Sequence, residues 1–103
     1  MKYGLSAQAL QLIERVFLGH PEVKRVRIFG SRAMGTHRPG SDIDLALEGE
    51  FTQAQLGRIA AELDELPLPY IFDLLSWAKI DHEPLRQHIA QWGQTIYEAD
   101  GKP

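Results

Sequence analysis

Apolar residues recur along this chain with two different periods, and the period changes from segment to segment. Near the start, Leu10, Ile13 and Phe17 fall at helical spacing. Ser6 stands where an N-cap would, with Leu5 and Leu10 in staple positions around it, and Gly19 and Pro21 mark the stop. The segment "VKRVRIF", Val23 to Phe29, alternates and is β-branched, so it predicts a strand. A short turn or helix begins at Ser31, followed by the loop "GTHRPG". "SDIDLAL" alternates again, which puts Ile43, Leu45 and Leu47 on one face of a second strand.

The second half repeats the alternation of elements. Thr52 and Gln55 form a capping-box pattern, and Phe51 and Leu56 a staple. Leu56, Ile59, Ala60 and Leu63 give the next helix an apolar stripe, ended by Pro67. "YIFDLLSW", Tyr70 to Trp77, predicts a third strand. Leu85, Ile89 and Trp92 mark a last helix closed by Gly93, and "TIYEAD" predicts a short strand or a frayed tail. Helices alternating with strands indicate an α/β (α+β) domain of two or three layers. Phe29 to Ser41 is too short for a crossover helix, so strands one and two are expected to be antiparallel. Leu47 to Tyr70 holds a whole helix, which allows strands two and three to be parallel. The expectation is a small mixed β-sheet with flanking helices, in a single domain over residues 1–103.

Composition narrows the chemistry. The 103 residues are 44% hydrophobic, enough for a core, and include no cysteine. Disulfides and thiolate metal sites are thereby excluded, so any metal is held by oxygen or imidazole, which favours hard ions. The first residues, "MKYGLSAQALQLIERVF", are broken by Glu14 and Arg15, unlike a signal peptide, and no run approaches a membrane span. A cytoplasmic protein is expected. A net charge of −3 argues against general nucleic-acid binding. Yet Lys24, Arg25, Arg27, Arg32 and Arg38 cluster against Glu22 alone, which suggests a local anion site or, for Lys24 and Arg25, a solvated strand edge.

The candidate chemistry sits in "FGSRAMGTHRPGSDIDLAL", Phe29 to Leu47. On a strand, Asp42 and Asp44 point to the same face, about 7 Å apart. Such carboxylates repel, and a divalent cation between them removes the conflict. The alternatives are a Ser–Asp turn at Asp42 and a merely solvent-facing Asp44. Asp73 lies among apolar residues in "YIFDLLSW", where an unpaired buried carboxylate is costly. An arginine partner or a helix cap would also account for it. If the third strand lies beside the second, the three carboxylates converge as a ligand set for two magnesium ions. Gly30 and Ser31 offer a close backbone approach, free N–H groups and a hydroxyl, which together suit an anion such as a triphosphate. Arg32 and Arg38 are placed to reach the same phosphates. The histidines His20, His37, His82 and His88 show no metal spacing and read as surface residues, His37 with a weak claim on the phosphate loop.

The spacing G-S-x(10)-D-x-D in "GSRAMGTHRPGSDID", followed by the acidic residue of "FDLLSW", resembles the DNA polymerase beta nucleotidyltransferase superfamily. The length is similar to its minimal, MntA-type members. The resemblance implies a polymerase-beta-like palm, with Gly30 and Ser31 contacting nucleotide phosphates. It implies Asp42 and Asp44 as the metal-binding pair, and Asp73 as the third carboxylate that helps activate an acceptor hydroxyl. The implied enzyme is a magnesium-dependent nucleotidyltransferase, with manganese an alternative ion, acting on a nucleoside triphosphate such as ATP. No part of the chain is left over for an acceptor domain, so a partner protein is expected to present the hydroxyl. In minimal members that partner is a helical HEPN-domain protein, and the pair is a toxin–antitoxin system. Trp77, Trp92 and Tyr97 are candidate contact aromatics, with core packing favoured for Trp92. Two other readings compete: a non-catalytic nucleotide-binding module that neutralises its partner by complex formation, and an aminoglycoside-type small-molecule nucleotidylyltransferase. Homo-oligomerisation stays open.

Overall fold

A computed structural model describes residues 1–99. Helix α1 spans Ala7–Leu18, and the Ser6 hydroxyl accepts from Ala9 N at 3.1 Å, satisfying one of the donors a helix start leaves free. Strand β1 is Val23–Phe29, the one-turn helix α2 is Ser31–Met34, and β2 is Ile43–Gly49. Helix α3, Gln53–Asp64, carries the expected capping box: Thr52 Oγ1 accepts from Gln55 N at 3.1 Å and Gln55 Oε1 from Thr52 N at 2.7 Å. Strand β3 is Phe72–Ser76 and runs into a 3₁₀ turn at Trp77–Lys79, so it is shorter than the expected Tyr70–Trp77. Helix α4 is Glu83–Trp92 and β4 is Gln94–Glu98. The tail therefore forms a strand, and Asp100 lies outside the described residues.

The four strands make one mixed sheet in the order β3-β2-β1-β4. β1 is antiparallel to both β2 and β4, and β2 is parallel to β3, with α3 as the crossover. Helices cover both faces, so the domain has three layers. The larger core lies under α1 and α3, where Phe17, Ile28, Leu45, Leu47 and Leu63 are fully buried. Each such side chain contributes roughly 1.5–3 kcal/mol over leaving it in water. A smaller core on the other face joins Phe29, Ala46 and Ile89, with Leu75, Trp77, Ile80 and Leu85 packed against it. Among the described residues, no helix is long and apolar enough to cross a membrane.

Several side chains depart from expectation. Tyr97 is buried and stacks on Phe17, centroids 5.7 Å apart, because β4 turns that residue toward α1. Trp92 is 39% exposed: it is the last residue of α4, where the chain leaves for β4, so its helical spacing does not carry it into the core. Trp77 is half-buried, with the Arg27 and Arg86 guanidiniums over its ring at 4.5 and 4.1 Å. His20 is buried, its Nδ1 3.1 Å from Glu22 Oε2 and its Nε2 2.8 Å from Glu62 Oε1, so it ties the end of α1 to α3 instead of facing water.

Candidate active site

The site lies where β1 ends and β2 and β3 begin. Phe29 is the register partner of Asp44, and Asp44 is the register partner of Asp73. Parallel neighbours are roughly 4.8 Å apart and partners project from the same face, so these two carboxylates stand side by side. Asp42 lies just before β2 and is exposed. Burial raises the Asp44 carboxyl above its ordinary range, and the negative charges of Asp73 and then Asp42 push it further the same way, against smaller opposing effects of His88 and Arg32. The structure thus pairs Asp44 with Asp73 and sets Asp42 within electrostatic reach of Asp44. Among the described residues, no three acidic or histidine side chains already form a closed metal cluster.

Asp73 departs from expectation in one respect, because it is exposed. β3 is an edge strand, and the apolar residues flanking Asp73, Phe72 and Leu74, belong to the opposite face and pack on the larger core. The Asp73 carboxylate therefore stays in contact with water. What places Asp73 is its register with Asp44.

Gly30 follows β1 with φ 75° and ψ −153°, a conformation that only glycine adopts without strain. A Cβ there would run into Asp44 Oδ2. Its N–H donates to His88 Nε2 at 3.0 Å, a bond that requires an unprotonated Nε2. Ser31 then opens α2, where the Met34 N–H donates to the Gly30 carbonyl at 3.1 Å and the N–H groups before it have no intrahelical acceptor.

The arginines separate. Arg32 is 2% exposed: Nε and Nη2 donate to the Ser41 carbonyl at 3.1 and 2.8 Å, Nη1 donates to the Tyr3 carbonyl at 2.8 Å, and the guanidinium lies over Tyr70. It braces the loop that delivers Asp42, and its charge acts on Asp44 from below the surface. Arg38 is exposed, in a turn closed by Ser41 N to Arg38 O and by Arg38 N to Ser41 Oγ. Arg25 and Arg27 both pair with Glu48, at 2.8 and 3.0 Å, so the basic cluster seen in the sequence is partly neutralised. His37 Nδ1 is buried with no hydrogen-bond partner. His88, expected at the surface, is half-buried at the site. A signal for it existed: Leu85, His88, Ile89 and Trp92 share one helical face, so His88 interrupts an apolar stripe.

The donor set is oxygen only, a close carboxylate pair with a third carboxylate nearby, and its charges are poorly compensated by the protein. That fits a hard divalent cation. Next to it, the Ser31 hydroxyl and the start of α2 offer donors to an anion.

A sequence model described as "Polymerase beta, Nucleotidyltransferase" matches residues 11–102. No curated protein matches the chain significantly. Among solved structures, the chain is similar to a toxin–antitoxin crystallised with AMP-PNP, at 21% identity and TM-score 0.72, covering 88% of this chain and 74% of that one. It is also similar to the toxin–antitoxin MntA-HepT, at 18% identity and TM-score 0.69, covering 90% and 73%. A third is a complex from Shewanella oneidensis of a tri-AMPylated HEPN toxin with an MNT antitoxin, at 20% identity and TM-score 0.60, covering 86% and 72%. At these identities the likeness is one of fold.

Proposed function

The chain belongs to the polymerase beta nucleotidyltransferase family, and on that premise we propose that it transfers AMP from ATP to a hydroxyl of a partner protein, as the antitoxin of a HEPN toxin–antitoxin pair. The observation that carries this reading is the register of Asp44 with Asp73 beside the Gly30–Ser31 turn. The solved complexes of similar fold, one holding AMP-PNP and one an AMPylated HEPN toxin, support the nucleotide and the partner.

Asp42, Asp44 and Asp73 would hold magnesium, with manganese as a substitute. When bound, the cation supplies positive charge that offsets these carboxylates and the phosphates and lowers the pKa of the acceptor hydroxyl. The chain's own residues do the rest. Ser31 and the N–H groups that open α2 receive the phosphate oxygens, and exposed Arg38 adds charge from the loop. Arg32 acts indirectly, by holding the Tyr3 and Ser41 carbonyls and hence the approach to Asp42. Asp73, open to solvent on the edge strand, takes the proton from the acceptor hydroxyl. A bond forms between the acceptor oxygen and the α-phosphorus, the bond to the bridging oxygen breaks, and pyrophosphate leaves. Positioning and electrostatics carry the catalysis.

The test incubates the protein with magnesium, ATP labelled at the α-phosphate and a HEPN-domain partner. Label on the partner, absent with Asp44→Asn, is expected. A tight complex that stays unlabelled with every nucleoside triphosphate would instead identify a binding module.

A further inference from the structure

The Gly30–Ser31 turn is held by a residue far away in sequence. Leu85 and Ile89 of α4 pack into the small core with Phe29 and Ala46, and that packing fixes which way the helix faces. His88, one residue before Ile89, is thereby turned onto the end of β1. Its ring stands edge-on to Phe29, with centroids 6.1 Å apart and planes at 76°. Its Nε2 takes the Gly30 N–H at 3.0 Å. On the other side, Gly30 lies so close to Asp44 that no Cβ fits between them.

Gly30 is therefore confined between a carboxylate and an imidazole. Glycine left to itself has many backbone conformations open to it, so its neighbours choose this one. The choice matters for the next residue. α2 is a single turn, too short to hold its own start, and a rotation at Gly30 would re-aim both the N–H and the hydroxyl of Ser31.

We propose that His88 is a positioning residue: by accepting the Gly30 N–H, it holds the Gly30–Ser31 turn in the orientation that presents Ser31 to the triphosphate. This role rests on the nucleotide-site reading given above. It assigns the Gly30 N–H to the protein and leaves phosphate contact to Ser31 and the residues after it.

The test compares the full-length wild type with His88→Phe, which keeps a ring against Phe29 but has no lone pair, and His88→Gln, whose Oε1 can stand where Nε2 stood. Two readouts are taken: hydrogen exchange of the Gly30 amide by NMR, and KM and kcat for magnesium ATP. In His88→Phe, the Gly30 amide is expected to exchange on the order of tenfold faster and KM to rise about tenfold, the scale of one lost hydrogen bond. His88→Gln is expected to recover most of both. An unchanged KM in His88→Phe overturns the proposal, even if kcat falls, because a falling kcat alone reports lost folded enzyme. Failure of His88→Gln to recover KM, or a Gly30 amide indifferent to His88→Phe, also overturns it. A wild type that binds no nucleoside triphosphate sinks the functional reading and this role with it, and the exchange data then report only on the turn.

Discussion

On β2, Ile43, Leu45 and Leu47 are fully buried beneath α1 and α3, while Asp44 and Glu48, on the opposite face of the same strand, are only half-buried. One face is closed by two long helices. The other is covered only where α4 and the 3₁₀ turn reach, over Phe29, Ala46 and Leu75. Charges survive on that second face because it is left short of cover. At one end Arg25 and Arg27 share Glu48, which offsets part of their charge. At the other, Asp44 stands beside Asp73, and burial and carboxylate repulsion at Asp44 outweigh the opposing charge of Arg32. Because side chains alternate along a strand, neighbouring positions can serve stability and chemistry separately.

Substitutions on the two faces should therefore separate. The largest effect is expected from Asp44→Asn, which should lower the rate of nucleotidyl transfer by a factor on the order of 10²–10³ without lowering thermal stability. Steady-state kinetics and a melting curve on the same sample check both parts. Leu45→Ala, one position away, should do the reverse: a loss of about 2–5 kcal/mol in urea unfolding, with kcat per folded molecule retained. Trp77→Ala tests the seam between the faces. It removes the ring over which Arg27 and Arg86 lie and its packing on the small core, and should cost about 2 kcal/mol.

The smallest effect is a pH dependence. Folding holds the Asp44 carboxyl above its ordinary value, so the folded state favours the protonated form. Its contribution is complete at low pH and is lost as pH rises through the raised pKa. Asparagine mimics the protonated group. In metal-free buffer, Asp44→Asn should match the wild type near pH 3 and become more stable than it toward pH 7, by a few degrees in Tm at most. A wild type that gains on the variant as pH rises would reverse the assigned sign.

Most of the fold was legible because the periods are clean. The two caps at Ser6 and Thr52, the antiparallel β1–β2 pair and the parallel β2–β3 pair all follow from local pattern and link length. Asp44 and Asp73 could be singled out as residue types in the wrong company, but their adjacency depended on strand order, which no local signal carries. Arg32 shows a different limit. Its acceptors are backbone carbonyls of Tyr3 and Ser41, and carbonyls are invisible in a sequence because every residue has one. His20 was hidden for a similar reason, since Glu62 lies 42 positions away and only the packing of α1 on α3 brings it near. Trp92 shows that a helical stripe predicts burial poorly at a helix's last residue, where the chain turns away.

The central claim is that the poorly compensated carboxylates of the open face form a cation-dependent nucleotide site. Calorimetric titration of the protein with AMP-PNP and magnesium tests it most directly, comparing the wild type with the double variant Asp44→Asn, Asp73→Asn. The account predicts binding by the wild type that disappears with EDTA, and binding at least about tenfold weaker in a variant that melts no lower. Equal affinity in the two proteins, or wild-type binding indifferent to EDTA, would contradict it.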